Sequence, residues 1–264
     1  MDLQLSGQTA LITGSTAGIG FAVATGLARE GVTIVLNGRD QTRLTGARDR
    51  LLAAVPGAEV RTVAADVTTA AGGRRLLDAE PDVDILINNV AISDFATFAE
   101  VADEEWLRYF ETNVLSSIRL SRHHLPRMLA RGTGRMIFVS ADSAVTGDAD
   151  MLPYAMTKSA LLTVARGLAE LTRGTAVTVN SVLAGPVATE GAIDFIAKAA
   201  AEQGRSAAEV EAAYFAEYRP TSLLRRPATP EELASQVVYL SSPLAVSTNG
   251  AAVRAEGGTI RTIG

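Results

Sequence analysis

The chain has 264 residues, nearly half of them apolar and a fifth charged, with a formal net charge of −5. That length suits one α/β unit, and mild acidity without a dense Lys/Arg cluster argues against nucleic acid or an anionic membrane surface as partners. The absence of cysteine excludes disulfides, thiolate chemistry and Cys-based zinc sites.

The first residues carry no basic region followed by a long apolar stretch, and no apolar run reaches the roughly 18 residues of a membrane span. A cytoplasmic protein is expected. Strand-like runs lie at 9–14, 33–38, 59–66, 84–90, 135–141, 176–184 and 251–257. Several are almost wholly apolar, as strands covered on both faces must be. Helical patterns fall at 18–30, 40–54, 70–79, 103–130, 155–172 and 230–241. Alternation of this kind predicts parallel strands joined by right-handed crossovers: a doubly wound, Rossmann-type α/β sheet of about seven strands. Residues 190–226 break the rhythm. They read as two helices split near Gly204, a helical insertion in what is otherwise one domain over 1–264.

"TGSTAGIG" (13–20) follows the first strand and opens the first helix. Gly14 permits a tight turn, Gly18 admits a close backbone approach to a pyrophosphate, and Gly20 allows helix–sheet packing. The helix N-terminus then offers free N–H groups to negative charge. The second strand ends Asn37-Gly38-Arg39, where an acidic residue would receive the ribose of NAD(H). A guanidinium there suits a 2′-phosphate, which predicts NADP(H). In "YAMTK", Tyr154 and Lys158 sit one helical turn apart, placing an ammonium beside a phenol. A phenol titrates near 10 and needs such a neighbour to serve as a base near neutrality. The two histidines, His123 and His124, project about 100° apart on a helix and make a poor metal pair. No metal is expected.

The glycine spacing, "NNVA" at 88–91, Asn113 in "ETNV", "YAMTK" and "NGAAVRAEGG" near the end together resemble the classical short-chain dehydrogenase/reductase family over essentially the whole chain. The resemblance implies a ketone/secondary-alcohol oxidoreductase with Tyr154 as acid/base. Lys158 would bind the nicotinamide ribose and lower the phenol's pKa, and Asn113 would anchor a water in a proton relay. It assigns to the cofactor the turn residues Gly14, Ser15, Thr16, Gly18, Ile19 and Gly20, with Arg39, Asp66, Val67, Asn88, Val187 and Thr189. Asp66 would meet the adenine, and Val187 and Thr189 the nicotinamide carboxamide and phosphate. It also implies a small-molecule substrate, a homotetramer or dimer, and a substrate lid built from the insertion. Phe195, Ile196, Tyr214, Phe215 and Tyr218 would cover an apolar ligand or pack the insertion down, and Arg219 or Arg225 would meet an acid group. Trp106, Leu107 and Phe110 read as core or subunit contact.

The chain departs from the family where chemistry is expected. A serine normally stands 13 residues before the tyrosine, and here that position is Ala141. Gly147 keeps the spacing of the segment. Ala91 and Ala184 replace a glycine and a proline around the same pocket. Three readings follow. Ser143 or Ser140 supplies the missing hydroxyl; Ser143 is favoured because it shares a face with Ala141 if the strand persists. Alternatively, the site is repurposed for elimination, isomerisation or cyclisation without net redox change, with Asp142 as a further base. The third is an engineered Ser-to-Ala change in a reductase. A binding or regulatory role would keep the pocket but not the Tyr–Lys pair.

Overall fold

The computed structural model describes residues 1–263. Seven parallel strands form one sheet in the order β3-β2-β1-β4-β5-β6-β7. They are β1 (Thr9–Ile12), β2 (Thr33–Gly38), β3 (Val60–Ala64), β4 (Ile85–Asn88), β5 (Thr133–Ala141), β6 (Ala176–Ala184) and β7 (Ala252–Ala255). Strand alternation builds the core. Ile34, Leu36, Ile85 and Ile87 face one side with α1 (Gly18–Arg29) and α10 (Pro230–Ser241), packing against Leu27, Leu233 and Val237. Val35, Leu86, Met136 and Phe138 face the other, against Leu120 and Met128 of α5 (Ser116–Arg131) and Leu161 of α7 (Leu152–Glu170). With both faces covered, the strands had to read as continuous apolar runs.

The chain leaves β1 toward one sheet edge through β2 and β3, then returns to the other side of β1 as β4. The crevice at this reversal, outside the carboxyl ends of β1 and β4, is where open α/β sheets bind ligands. Between the strands lie α2 (Gln41–Ala54) and α3 (Ala70–Ala79). Asp40 caps α2 by accepting from the Arg43 N–H at 2.7 Å, and Thr69 caps α3 in the same way through Gly72 N–H.

The structure differs from the sequence expectation in three places. The helix expected at 103–130 is α4 (Asp103–Phe110), a π-helical turn at Glu111–Leu115, and then α5. Strand β5 ends at Ala141 because the Asp142 carboxylate accepts from Ser143 N–H at 2.8 Å and starts a short helix, α6 (Ser143–Thr146). The strand therefore does not persist, and the shared-face argument for Ser143 loses its premise. Helix α7 begins at Leu152, earlier than expected, with Pro153 in its first turn, where a missing N–H costs nothing. The insertion forms α8 (Glu190–Gln203) and α9 (Ala207–Glu217), parted at Gly204 with φ +62°. No helix of the described residues is long and apolar enough to cross a membrane.

Gly72 packs so closely that an added Cβ would fall on the backbone of Asp66. Gly72→Ala is expected to cost about 1–3 kcal/mol of stability through overpacking, read as a lower urea midpoint with an unchanged m-value.

Candidate active site

The glycine turn lies at the sheet's reversal point. Gly14 and Gly18 have φ of +62° and +54°, a region that favours glycine. A Cβ on Gly20 would stand 2.6 Å from the Gly14 carbonyl oxygen, so only glycine lets α1 close onto the turn. Ala17 caps α1 without a side-chain hydrogen bond. The first amides of the helix, Gly18, Ile19 and Gly20, are left without intrahelical partners. A turn with free amides, a helix dipole and no side chain in the way fits a pyrophosphate. Thr189 closes the far side, its Cγ2 lying 3.2 Å from where a Gly18 Cβ would be. Thr189 also caps α8, and neighbouring Val187 bridges to Ala228.

Other expected cofactor residues divide into exposed and structural ones. Arg39 is exposed at the end of β2, and no hydrogen bond or ion pair engages it among the described residues. Ser15 is buried, with its hydroxyl donating to Ile12 C=O and accepting from Asn37 N–H. Thr16 lends its carbonyl to Arg50 at 2.7 Å, and Ile19 packs on the core. Asn37 is spent on the carbonyls of Val63 and Ala65, leaving Arg39 as the polar side chain free at this strand end. Asp66 accepts from Thr68 N–H and Oγ1, beside buried Val67. Asn88 is buried below the turn, its Nδ2 3.4 Å from Ser121 Oγ.

The structure gathers Tyr154, Lys158, Asn113 and Ser143 at the carboxyl end of β5. Lys158 Nζ lies 5.3 Å from the centre of the Tyr154 ring and donates one hydrogen bond, to Val139 C=O, at 2.7 Å. Burial pushes its ammonium down to about 7. Burial also holds the Tyr154 phenol well above its ordinary value, with the Asp142 charge adding and Arg219 opposing. The phenol is therefore a proton carrier at neutral pH. Asn113 sits in the π-turn, a distortion frequent at functional sites. Its amide accepts from Ile92 N–H and donates to Ile92 C=O and to Thr157 Oγ1, which in turn donates to Tyr154 C=O.

Ser140 Oγ donates to Lys158 C=O at 2.9 Å and is committed. Ala141 is buried and pairs with Ala184. Ser143 Oγ is buried with no hydrogen-bond partner. Gly147, with φ +65°, ends α6, and Ser159 Oγ ties Ala144 C=O to α7 at 2.6 Å.

Arg219 is not free to receive a substrate acid, contrary to expectation. It reaches Asp148 at 2.7 Å and lies 3.9 Å from Asp142. Arg225 is exposed. In the insertion, Phe195 stacks on Phe95 at 5.9 Å, Tyr214 stacks on Tyr218, Phe215 is buried and Ile196 is half-buried. Leu107 and Phe110 are exposed and so do not belong to the core, while Trp106 meets Phe98 edge-on. His124 is buried, and its imidazole is pushed down to about 3 by burial, so it stays neutral.

The pattern of the short chain dehydrogenase family matches residues 8–200. The chain belongs to that family. Two curated proteins from Bacillus subtilis (strain 168) are similar to it, each matched over 100% of both chains. They are the uncharacterized oxidoreductases YvrD, 44% identical, and YvaG, 41% identical. L-sorbose reductase from Gluconobacter frateurii, solved with NADPH and L-sorbose, superposes with a TM-score of 0.93 at 34% identity, covering 100% of both chains. The chain is accordingly an oxidoreductase of the short-chain dehydrogenase type.

Sequence reasoning passed over Thr13, Asn89 and Thr157. Thr13 Oγ1 accepts from the N–H groups of Asn89 and Val90, and Asn89 Nδ2 donates to the carbonyls of Thr13 and Gly14. The second Asn of "NNVA" was the available signal. For Lys158, the ligand-free enzyme should gain stability relative to Lys158→Met as pH rises from about 7 toward 10.5, because the unfolded lysine then holds a proton that the folded one has lost. The expected slope is up to about 1.4 kcal/mol per pH unit, measured by denaturant melts across that range.

Proposed function

We propose that the protein is an NADP(H)-dependent oxidoreductase interconverting a ketone and a secondary alcohol on a small to medium-sized molecule. It would act as one unit, with α8–α9 as the substrate lid. The observation that carries this reading is the half-buried Tyr154 one helical turn from Lys158, at the same end of the sheet as the unpartnered Ser143 hydroxyl. The NADPH and L-sorbose bound by the Gluconobacter reductase support it.

When bound, NADPH supplies the hydride to the carbonyl carbon. Its pyrophosphate would rest on the amides of Gly18, Ile19 and Gly20, and Arg39 would meet the 2′-phosphate. Tyr154 gives its phenolic proton to the carbonyl oxygen, which becomes the alcohol hydroxyl. Lys158 offsets the charge left on the phenolate. Ser143 donates to the same oxygen while charge builds on it, taking the place that Ala141 cannot fill. A phenol held protonated suits the reductive direction near neutral pH.

Ser143→Ala is expected to lower kcat/KM roughly 10²–10³-fold, the cost of one oriented donor, in assays of NADPH absorbance. Ala141→Ser should change the rate only slightly. A large gain from Ala141→Ser would instead make 141 the oxygen-binding position, and product formed without loss of NADPH would overturn the redox reading. For the cofactor, Arg39→Ala should raise KM for NADPH roughly tenfold or more, as loss of a charge-assisted hydrogen bond does, with little effect on NADH. Gly38 is left unchanged in this test, since a Cβ there would come within 2.8 Å of Thr16 Cγ2. A wild-type preference for NADH would overturn the assignment.

A further inference from the structure

Three buried polar atoms without hydrogen-bond partners fall in one neighbourhood: Asp142 Oδ2, Ser143 Oγ and Arg219 Nε. Asp142 Oδ1 is occupied by the cap of α6, and Arg219 Nη2 by Asp148 at 2.7 Å. The second carboxylate oxygen of Asp142 and the guanidinium Nε of Arg219 lie 3.9 Å apart, too far for a hydrogen bond. Next to them, bounded by Phe95, Asp148, Met151, Tyr214, Tyr218 and Arg219, is a cavity of about 140 Å³. Asp142 directly follows β5 and leads into Ser143, and it acts electrostatically on the Tyr154 phenol together with Arg219 and Asp148, so the cluster lies at the same end of the sheet as the reacting position.

The chemistry of the leftover atoms restricts what can satisfy them. Asp142 Oδ2 only accepts and Arg219 Nε only donates. One oxygen that both donates and accepts can satisfy both, and an alcohol hydroxyl does so. A ketone oxygen has no proton to give, and a carboxylate has none either. Charge points the same way: two carboxylates against one guanidinium leave the cluster with a formal charge of −1. A substrate carboxylate or phosphate would enter against that charge, with Arg219 already paired to Asp148.

We propose that Asp142 and Arg219 form a specificity element for a neutral α-hydroxyketone, the hydroxyl on the carbon next to the reacting carbonyl donating to Asp142 and accepting from Arg219. This rests on the reductase reading given above. In the oxidative direction the same element would select a neutral vicinal diol. Burial pushes the Asp142 carboxyl up to about 6, with Arg219 opposing and Asp148 and Glu256 adding, so near neutral pH it is mostly an ionised acceptor.

The test compares kcat/KM, with NADPH, for three four-carbon ketones: acetoin, butan-2-one, which lacks the hydroxyl, and acetoacetate, which carries a charge. Wild type is expected to favour acetoin over butan-2-one roughly tenfold or more, the worth of a hydrogen bond to a charged group, and over acetoacetate by at least as much. Asp142→Asn keeps an oxygen for the α6 cap, and its melting temperature reports whether the fold is retained. Arg219→Lys, a second route, keeps a cation for Asp148 but has no Nε. Both variants should bring the acetoin/butan-2-one ratio down to about threefold or less. A wild-type preference for acetoacetate, or an unchanged ratio in folded Asp142→Asn and Arg219→Lys, would overturn the specificity element while leaving the reductase reading intact. Absence of NADPH oxidation with every ketone, and of NADP+ reduction with butane-2,3-diol, would overturn the reductase reading itself and the inference with it.

Discussion

The turn after β1 has to meet two opposed demands, and much of the site depends on how it does so. Its amides must stay unpaired toward the crevice, while its other side is pressed against the end of β4. Buried carbonyls on that inner side would be costly if left alone. Asn89 satisfies them, donating to Thr13 and Gly14, while the Thr13 hydroxyl takes up the amides of Asn89 and Val90. Ser15 adds a second tie, to Asn37 of β2. With its inner face pinned to both neighbouring strands, the turn can hold glycines at positive φ and leave α1 uncapped without fraying.

A similar economy governs the other half of the site. Lys158 is buried and has no anionic partner; one N–H goes to Val139 C=O, and the hydroxyl of Ser140 takes the Lys158 carbonyl. Strand β5 and helix α7 are thus stitched together by polar groups that a reading by residue type would assign to catalysis. Ser140 serves the scaffold. Ala141 fills a narrow place between β5 and β6 opposite Ala184, and the chain then turns abruptly under the Asp142 cap. That turn carries the unpartnered Ser143 hydroxyl to the same end of the sheet as Tyr154.

How much of this was readable beforehand follows from the range of each interaction. The strands and most helices were legible because two-sided burial imposes uninterrupted apolar runs, and Gly14, Gly18 and Gly20 are dictated by backbone geometry within eight residues. The four-residue helix α6 was not, since one Asp–amide bond decides it. The π-turn at Asn113 shifts the helical period by a single residue inside a long amphipathic pattern and leaves no gap to notice. Arg219 was misjudged as a free cation because its partners, Asp148 and Asp142, lie 71 residues and more away in sequence. The commitments of Asn37 and Ser15 are also long-range, across neighbouring strands.

Helices α8 and α9 pack chiefly on each other, around Val210 and Phe215. Their ties to the sheet are few: Thr189 beside Gly18, Phe195 on Phe95, and Arg219, just after α9, on Asp148. None of these contacts enters the core on either face of the sheet. The insertion is therefore mechanically separable from the sheet and from α7, which carries Tyr154 and Lys158. Residues between Glu190 and Glu217 can change by substitution or exchange while both faces of the sheet keep their packing. In such a scaffold the insertion can vary as a graft on an unaltered core.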